Sequence, residues 1–305
     1  MRILITGACG LIGRVVSRYL ASKNHTIIGL GRSLPNAASS DIFDKFLQLD
    51  LSSRNAIELL EKSGVKDIDI VIHCASQQPK PDLTFSNYND GNIKTLENIV
   101  QWSKESSVKS LISFSTISFL NFPSNHAHSV NELTGFKPNN YYSLSKLMAE
   151  MYLNLEGDNS KLTILCFRIP SLVHEEQKGG LIYTYWYAAQ NSLDLEVFDN
   201  GITKRSLIHV NSILSLLDKV IVRCHNFNGF NIYNVGTKDS WTILEIASYI
   251  FKKNNSSANI KVIRKKSVFS GHCSIDNLKV ERDFNFTPWT TKKTLDTYLK
   301  NMNGD

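Results

Sequence analysis

A tyrosine and a lysine four residues apart are the side chains of this sequence best suited to moving a proton. Tyr142 and Lys146 bound the segment Tyr-Ser-Leu-Ser-Lys, and a helix there would place phenol and ammonium one turn apart on one face. The charge of Lys146 would lower the pKa of the phenol, which is about 10 when unperturbed. The spacing predicts an acid/base pair, although a surface tyrosine and lysine on a helix would share it.

Thr116 is a third candidate because it follows directly on a predicted strand, 110–115. The carboxyl ends of parallel strands share one edge of a sheet, where α/β proteins bind ligands. There the Thr116 hydroxyl would hydrogen-bond the oxygen atom on which Tyr142 acts. We therefore predict that Thr116, Tyr142 and Lys146 are catalytic.

Three glycines near the N-terminus indicate a site for a pyrophosphate. Gly7, Gly10 and Gly13 follow Thr6 at three-residue intervals, between a short apolar strand and an amphipathic helix. Glycine lets the backbone approach a phosphate closely, and the free N–H groups of a helix N-terminus attract anions. The pattern favours a dinucleotide cofactor over a simple tight turn between strand and helix.

The residues after the next two predicted strands bear on which dinucleotide binds. An acidic residue after the second strand holds the ribose hydroxyls of NAD, but here Arg32 follows Gly31. A guanidinium can bind the 2′-phosphate of NADP, so NADP is expected and NAD is the alternative. Arg32 could also be a solvated loop cation. Asp50, after the third strand, could accept a hydrogen bond from adenine or serve as a helix-start carboxylate near Ser53.

Hydrophobic periodicity predicts alternating strands and helices in the first half of the chain. The predicted strands are 3–6, 26–31, 45–49, 69–74, 110–115 and 162–167, and the helices include 53–61, 88–104 and 142–155. This alternation predicts an α/β fold with a doubly wound parallel sheet. Later elements are short strands at 207–210 and 231–235 and helices at 213–222, 243–251 and 291–302. We expect a cofactor domain over residues 1–168, with return segments around 205–235, and a smaller C-terminal substrate lobe over residues 169–305.

Composition narrows the expected partners. The 305 residues carry a formal net charge of +6, and the basic residues are scattered, so nucleic acid is not an expected partner. No apolar stretch is long enough to span a bilayer, so no membrane is expected either. The five cysteines form no Cys-x-x-Cys pair and are interpreted as reduced thiols of a cytoplasmic protein. His126 and His128 have no third ligand nearby, and no metal site is predicted.

The motifs occur in an order that resembles one family. Besides those above, they are Val71-Ile-His-Cys-Ala75, Arg168-Ile-Pro170, Arg205-Ser-Leu-Ile-His209-Val210, Asn231-Ile-Tyr-Asn-Val-Gly236 and Phe284-Asn-Phe-Thr-Pro288. The series resembles the extended short-chain dehydrogenase/reductase family, and within it the nucleotide-sugar epimerases and dehydratases, over almost the whole chain. The resemblance implies a Rossmann domain, a C-terminal substrate lobe and a homodimer built from two helices of each subunit.

The resemblance also implies roles for individual residues. Thr116, Tyr142 and Lys146 match the catalytic set, of which Thr116 and Tyr142 also contact the substrate. Arg205 matches an arginine that contacts the diphosphate of the sugar nucleotide, although it could be a cation at a strand edge. The cofactor-binding residues expected on these grounds are Gly7, Gly10, Leu11, Ile12, Gly13, Arg32, Asp50, Leu51, Cys74, Ala75, Lys146 and Pro170.

Departures from the family pattern fall where a substrate would lie. Ser171 stands where the family often has Asn, and we expect it to contact the substrate. Val173-His174 replaces a Tyr-Gly pair, and Phe119-Leu120-Asn121 replaces a Val-Tyr-Gly segment, so the identity of the sugar is not implied. Ile117 and Ser118 occupy the positions of the Asp-Glu pair with which the dehydratases eliminate water. Elimination of water is therefore not expected.

We accordingly expect an NAD(P)-dependent oxidoreductase that acts on a nucleoside-diphosphate sugar as a 4-keto-sugar reductase. Hydride would pass from the nicotinamide to the carbonyl carbon while Tyr142 protonates the oxygen. This choice depends on Arg32, because net reduction consumes a releasable NADPH whereas an epimerase recycles a retained NAD. The alternatives are an NAD-dependent nucleotide-sugar epimerase and a non-catalytic NADP-binding sensor on the same fold.

Overall fold

The computed structural model describes residues 1–122, 129–265 and 273–304. His126 and His128 lie outside the described residues. The strands are β1 (Arg2–Thr6), β2 (Thr26–Gly31), β3 (Lys45–Gln48), β4 (Ile70–His73), β5 (Ser110–Thr116), β6 (Thr163–Ile169), β7 (Ser171–Val173), β8 (Leu195–Val197), β9 (Lys204–Arg205), β10 (Leu207–His209), β11 (Phe230–Asn234), β12 (Trp241–Thr242) and β13 (Ile260–Val262). The α-helices are α1 (Leu11–Ser22), α2 (Ala56–Lys62), α3 (Phe85–Tyr88), α4 (Thr95–Glu105), α5 (Tyr141–Asp158), α6 (Gly180–Gln190), α7 (Val210–Arg223), α8 (Ile243–Lys253), α9 (Leu278–Phe284) and α10 (Thr291–Asn303).

Seven strands form the central sheet, in the order β11-β6-β5-β4-β1-β2-β3. The ladders that join β3, β2, β1, β4 and β5 are parallel. β1 and β4 are neighbours, so the chain builds the sheet outward from β1 on one side and then from β4 on the other. This confirms the predicted doubly wound parallel α/β fold, whose strand order reverses between β1 and β4.

The central strands are apolar because both of their faces are covered. β4 and β5 are buried along their whole length, and the core on one face joins strand residues to apolar residues of α2, α4 and α5. A buried parallel strand reads as a continuous apolar run, and Ile-Val-Ile in β4 has this form. Because helices cover both faces of these strands, a ligand can reach the sheet at the carboxyl ends of the strands.

The chain divides into two compact units. The first comprises residues 1–119, 136–168 and 216–233, and the second comprises residues 120–135, 169–215 and 234–305. The second unit has its own hydrophobic core, in which residues of α6, α8 and α10 pack together. Among the described residues, no helix is both long enough and apolar enough to cross a membrane.

Two predicted helices differ in detail from the observed ones. α2 begins at Ala56 rather than at residue 53, because the Ser53 hydroxyl donates to the Asp50 carbonyl and Asn55 occupies the N-cap. The predicted helix over 88–104 is interrupted, since Asn89–Lys94 forms a π-helical turn before α4. π-helical turns occur frequently at functional sites.

Candidate active site

The turn after β1 is shaped by glycines that no other residue could replace without moving backbone. Gly7 has a φ of +62°, and a Cβ there would lie 2.7 Å from both the Cα and the N of Ala75. A Cβ on Gly13 would lie 2.2 Å from the carbonyl oxygen of Gly7. The turn is therefore packed against the end of β4, and the first turn of α1 is packed against the loop that precedes it.

The N-terminus of α1 offers a face suited to a pyrophosphate. Gly10 is the N-cap and makes no side-chain capping bond, and the first turn of the helix carries no acidic residue. Leu11 and Ile12 are half-buried beside it. The positive end of the helix dipole and the first-turn N–H groups suit an anion, so these residues fit the diphosphate of a dinucleotide.

The end of β4 is tied to the end of β1. Thr6 Oγ1 accepts from the Ala75 N–H at 3.2 Å and lies 2.9 Å from His73 Nδ1. Burial lowers the pKa of His73 to about 3, and burial raises the pKa of the Cys74 thiol to about 12. His73 and Cys74 are therefore uncharged at neutral pH, and the predicted cofactor residues Cys74 and Ala75 line a fixed edge next to the glycine turn.

α5 presents Tyr142 and Lys146, as the spacing predicts. Asn140 caps the helix by accepting from the Ser143 N–H at 2.8 Å, which fixes the start of α5 just before Tyr142. Thr116 ends β5, its hydroxyl donates to the Ser118 hydroxyl at 3.2 Å, and its proximity to the Tyr142 phenol lowers the pKa of that phenol. Thr116 and Tyr142 are thus brought together at the carboxyl edge of the sheet.

The pKa of Tyr142 differs from the expected one. Burial raises it to about 12, the neighbouring Thr116 lowers it by less, and the nearby Tyr88 adds to the increase. The expectation that the phenol has a depressed pKa is therefore wrong for the protein as described. The reason is that burial removes water from the phenol, and the effect of Thr116 does not offset this loss.

Lys146 points into the sheet. Its Nζ donates to the carbonyl oxygen of Phe114 at 2.8 Å, and the residue is 8% exposed. Burial lowers the pKa of Lys146, and nearby Cys166, Glu150 and Cys74 raise it. Lys146 is thus held against β5, and its charge acts on His73 and Cys74 at the end of β4.

The residues predicted to bind the adenosine half lie after β2 and β3. Arg32 is exposed, and its charge contributes to a lowered pKa of Asp50. Burial raises that pKa, but bonds to Asp50 from the Ser52 N–H at 2.9 Å and the Ser52 hydroxyl at 2.8 Å outweigh burial. Asp50 thus accepts hydrogen bonds within the turn that follows β3, ahead of the Asn55 N-cap of α2. Leu51 is buried in the core, and its carbonyl accepts from Asn98 at 2.6 Å, so it could meet a ligand only through its backbone.

The remaining predicted residues belong to the second unit. Pro170 is half-buried between β6 and β7, and Ser171 is exposed at the start of β7. Arg205 is half-buried in β9. Burial lowers the pKa of Arg205, whereas Asp199 and the neighbouring Tyr185 raise it. Within the unit, Arg205 is a partly desolvated cation, which suits an anionic group.

One residue of the site was not identified from the sequence. Asn92, in the π-helical turn, accepts from the Ser76 hydroxyl at 2.8 Å and from the Gln77 N–H at 2.7 Å, and donates to the Ser145 hydroxyl at 2.9 Å. It joins the loop after β4 to α5 between Tyr142 and Lys146. The sequence does contain a signal for Asn92, because it lies four residues before the buried Leu96 and so on the same helical face. A buried amide needs hydrogen-bond partners, which indicates a role in joining elements.

Comparisons with known proteins identify the family and the fold that this chain resembles. A sequence profile of the NAD dependent epimerase/dehydratase family matches residues 3–236. YtcB of Bacillus subtilis (strain 168), an uncharacterized UDP-glucose epimerase, is 21% identical over 311 residues, covering 96% of this chain and 95% of that protein. The uncharacterized protein y4nG of Sinorhizobium fredii is 23% identical over 262 residues, which is 85% of this chain and 62% of that protein. The chain thus spans about three fifths of y4nG.

A solved structure gives the same fold. UDP-glucuronic acid 4-epimerase from Bacillus cereus, in complex with UDP-glucuronic acid and NAD, superposes with a TM-score of 0.82 at 20% identity, covering 99% of this chain and 100% of that one. At this identity the likeness is one of fold. It agrees with the Rossmann-like fold of the first unit.

Proposed function

The chain belongs to the NAD-dependent epimerase/dehydratase family, as its motifs predicted, and on that premise we propose that it transfers hydride between a nicotinamide dinucleotide and a carbon of a nucleoside-diphosphate sugar. The observation that carries the proposal is the proximity of Thr116, at the end of β5, to the phenol of Tyr142, with Lys146 one helical turn further on α5. β5 lies next to β4, which lies next to the glycine turn of β1. A dinucleotide bound at that turn would place its nicotinamide ring at the same edge of the sheet as Thr116 and Tyr142.

We propose that the reaction is the reduction of a 4-keto sugar. When bound, the reduced nicotinamide supplies the hydride. Tyr142 then donates its proton to the carbonyl oxygen, and its raised pKa keeps that proton in place at neutral pH. Thr116 orients the same oxygen, and the charge of Lys146 stabilises the phenolate that remains.

NADPH is the proposed reductant. Arg32 is exposed at the end of β2, where an acidic residue would select NAD. Its guanidinium can bind a 2′-phosphate, although the ionised Asp50 nearby would weaken that attraction. Preference for NADPH therefore depends on Arg32 outweighing Asp50 at this edge.

An NAD-dependent epimerase is the second candidate. It is favoured by YtcB, a relative that is named a UDP-glucose epimerase and is covered along nearly its whole length. The same three residues would serve it, with Tyr142 first removing a proton and then returning it. Dehydration is not supported, because Ile117 and Ser118 provide no carboxyl groups beside Thr116.

One experiment separates reductase from epimerase. The purified chain is denatured and its supernatant assayed for NAD, and the intact chain is mixed with NADPH and a panel of 4-keto nucleotide sugars. A reductase releases no stoichiometric NAD and consumes NADPH with one of the sugars. Stoichiometric NAD, together with conversion of a nucleotide sugar without added cofactor, would instead establish the epimerase.

The second unit is the proposed source of substrate contacts. We propose that Arg205 binds the diphosphate, that Ser171 contacts the sugar and that Pro170 borders the cofactor. The domain boundaries proposed from the sequence, 1–168 and 169–305, remain our assignment of cofactor and substrate functions. The five cysteines are free thiols, and we propose a reducing, cytoplasmic location.

A homodimer is proposed from the exposed face of α5. Met148, Met151 and Leu155 are exposed on this helix, together with Tyr141 at its start. Their spacings of three, four and seven residues place them on one side of the helix. A second copy of the chain, offering the same stripe, is the proposed occupant of this face.

A further inference from the structure

A buried ion pair lies directly beneath the candidate catalytic residues. Arg168 Nε donates to both carboxylate oxygens of Glu150 at 3.0 Å, and Arg168 also forms an ion pair with Glu150 through Nη2. Glu150 is 5% exposed and Arg168 is 2% exposed. Because desolvation of two charges offsets most of their attraction, a buried pair is weak support for stability. Its presence here calls for another role.

Glu150 is tied to the residues on either side of the active site. It lies one helical turn after Lys146 and two turns after Tyr142 on α5. The Ser115 hydroxyl donates to Glu150 Oε2 at 3.1 Å, and Ser115 is the residue before Thr116. The carboxylate therefore links the helix that carries Tyr142 to the strand end that carries Thr116.

Arg168 holds the same region from the other side. Its Cζ lies 5.4 Å from the ring centroid of Phe119 and 5.5 Å from that of Phe136, and the two rings contact each other edge to face. Phe119 follows Thr116 by three residues, and Phe136 precedes Tyr142 by six. The guanidinium thus packs between the segment that leaves β5 and the segment that enters α5.

Glu150 is the carboxylate among the titratable groups that the described residues place around Lys146, and it is paired with Arg168. On its own helix the other such group is Tyr142, whose pKa burial raises to about 12. From β4 and the residue after it come His73 and Cys74, and both are uncharged at neutral pH. From β6 comes Cys166, whose pKa is also raised by burial.

We propose that Glu150 and Arg168 are positioning residues for the proposed hydride transfer. Arg168 fixes the Glu150 carboxylate beside Lys146. The negative charge of that carboxylate keeps the buried Lys146 ammonium protonated and directed at β5. The inference rests on the proposed function for its purpose, but its electrostatic part concerns Lys146 alone. In this proposal the Glu150–Arg168 pair affects the protonation of Lys146, which an ion pair with only a structural role would not do.

The test is a titration of Lys146 in Glu150→Gln. The full chain is labelled with isotopic lysine, the Lys146 signal is assigned by its loss in Lys146→Arg, and its pKa is followed by NMR. Because an opposite charge nearby raises the pKa of a cation, Glu150→Gln should lower the pKa of Lys146 by about one unit or more. The matched control is Glu156→Gln, which removes the partner of Lys104 two turns further along the same helix and should leave Lys146 unchanged.

Turnover supplies the second readout. In Glu150→Gln the alkaline limb of the kcat profile should move to lower pH by the same shift, whereas a merely structural defect would lower kcat equally at every pH. If Glu150→Gln does not fold, the paired variant Glu150→Met with Arg168→Met replaces the ions by apolar groups of similar length and should shift Lys146 in the same direction. An unshifted Lys146 in the folded variant overturns the proposal. Since the titration needs no substrate, a failure to reduce any keto sugar would refute the proposed function and leave this result readable.

Discussion

Replacing Gly7 by alanine should damage the cofactor site through two separable costs. The left-handed φ of +62° costs an L-residue about 1–2 kcal/mol. The added Cβ would also meet the Ala75 backbone at 2.7 Å, and relief of such overpacking costs about 1–3 kcal/mol. We therefore expect Gly7→Ala to lose about 2–5 kcal/mol of unfolding free energy. Since the turn must move away from β4, NADPH should bind at least about tenfold more weakly, which corresponds to 1.4 kcal/mol.

Gly64 provides the control for this prediction. It has a φ of +69°, but a Cβ there would meet nothing within 4 Å. Gly64→Ala should therefore lose only the conformational part, about 1–2 kcal/mol, and bind NADPH as the unmodified chain does. Urea unfolding and fluorescence titration with NADPH measure both quantities. The reasoning would be refuted if Gly7→Ala bound NADPH with unchanged affinity, or if the two variants were equally destabilised.

Three further outcomes are expected. Arg32→Ala should weaken NADPH binding about tenfold and leave NADH binding unchanged. The control Arg54→Ala, at an exposed arginine, should change the affinity for neither cofactor. If Arg32→Ala weakened the binding of both cofactors equally, Arg32 would have no part in recognising the 2′-phosphate. Burial lowers the pKa of His73 from 6.5 to about 3 in the folded chain, so the native state binds fewer protons than the unfolded state as the pH falls below 6.5. The free energy of unfolding should therefore fall by about 1.4 kcal/mol for each pH unit below 6.5. His73→Asn should reduce this decrease, as measured by urea unfolding at a series of pH values. Met151→Asp should convert a dimer to a monomer in sedimentation, while Val222→Asp on α7 should not, and a monomeric unmodified chain would contradict the proposed α5 interface.

The central strands of the sheet were predictable from sequence because local apolar runs define them, as Ile-Val-Ile does in β4. The predicted bounds of β2, 26–31, coincide with those observed, and the alternation with helices required a parallel arrangement. α6 was not predicted, since Leu-Ile-Tyr-Thr-Tyr-Trp-Tyr contains residues of modest helix propensity and follows two glycines. β9 and β12, of two residues each, exist only through their pairing with one another. Pairing of that kind leaves no local pattern in a sequence.

The candidate site also has a part that the sequence predicts and a part that it does not. Thr116, Tyr142 and Lys146 were identifiable because a single strand end and a single helical turn carry them. The direction of the Tyr142 pKa was not, because it depends on how closely other elements cover the phenol. The Glu150–Arg168 pair was also missed, since it joins α5 to the end of β6. Contacts between elements, rather than spacing within one, carry this part of the site.

The central claim is that Tyr142 exchanges a proton with the substrate beside a dinucleotide bound at the glycine turn. Its most direct test is Tyr142→Phe, measured for turnover of a 4-keto nucleotide sugar and for NADPH affinity in the same preparation. The account predicts a loss of kcat of about 10²–10⁴-fold with little change in NADPH affinity. Undiminished turnover in this variant would contradict it.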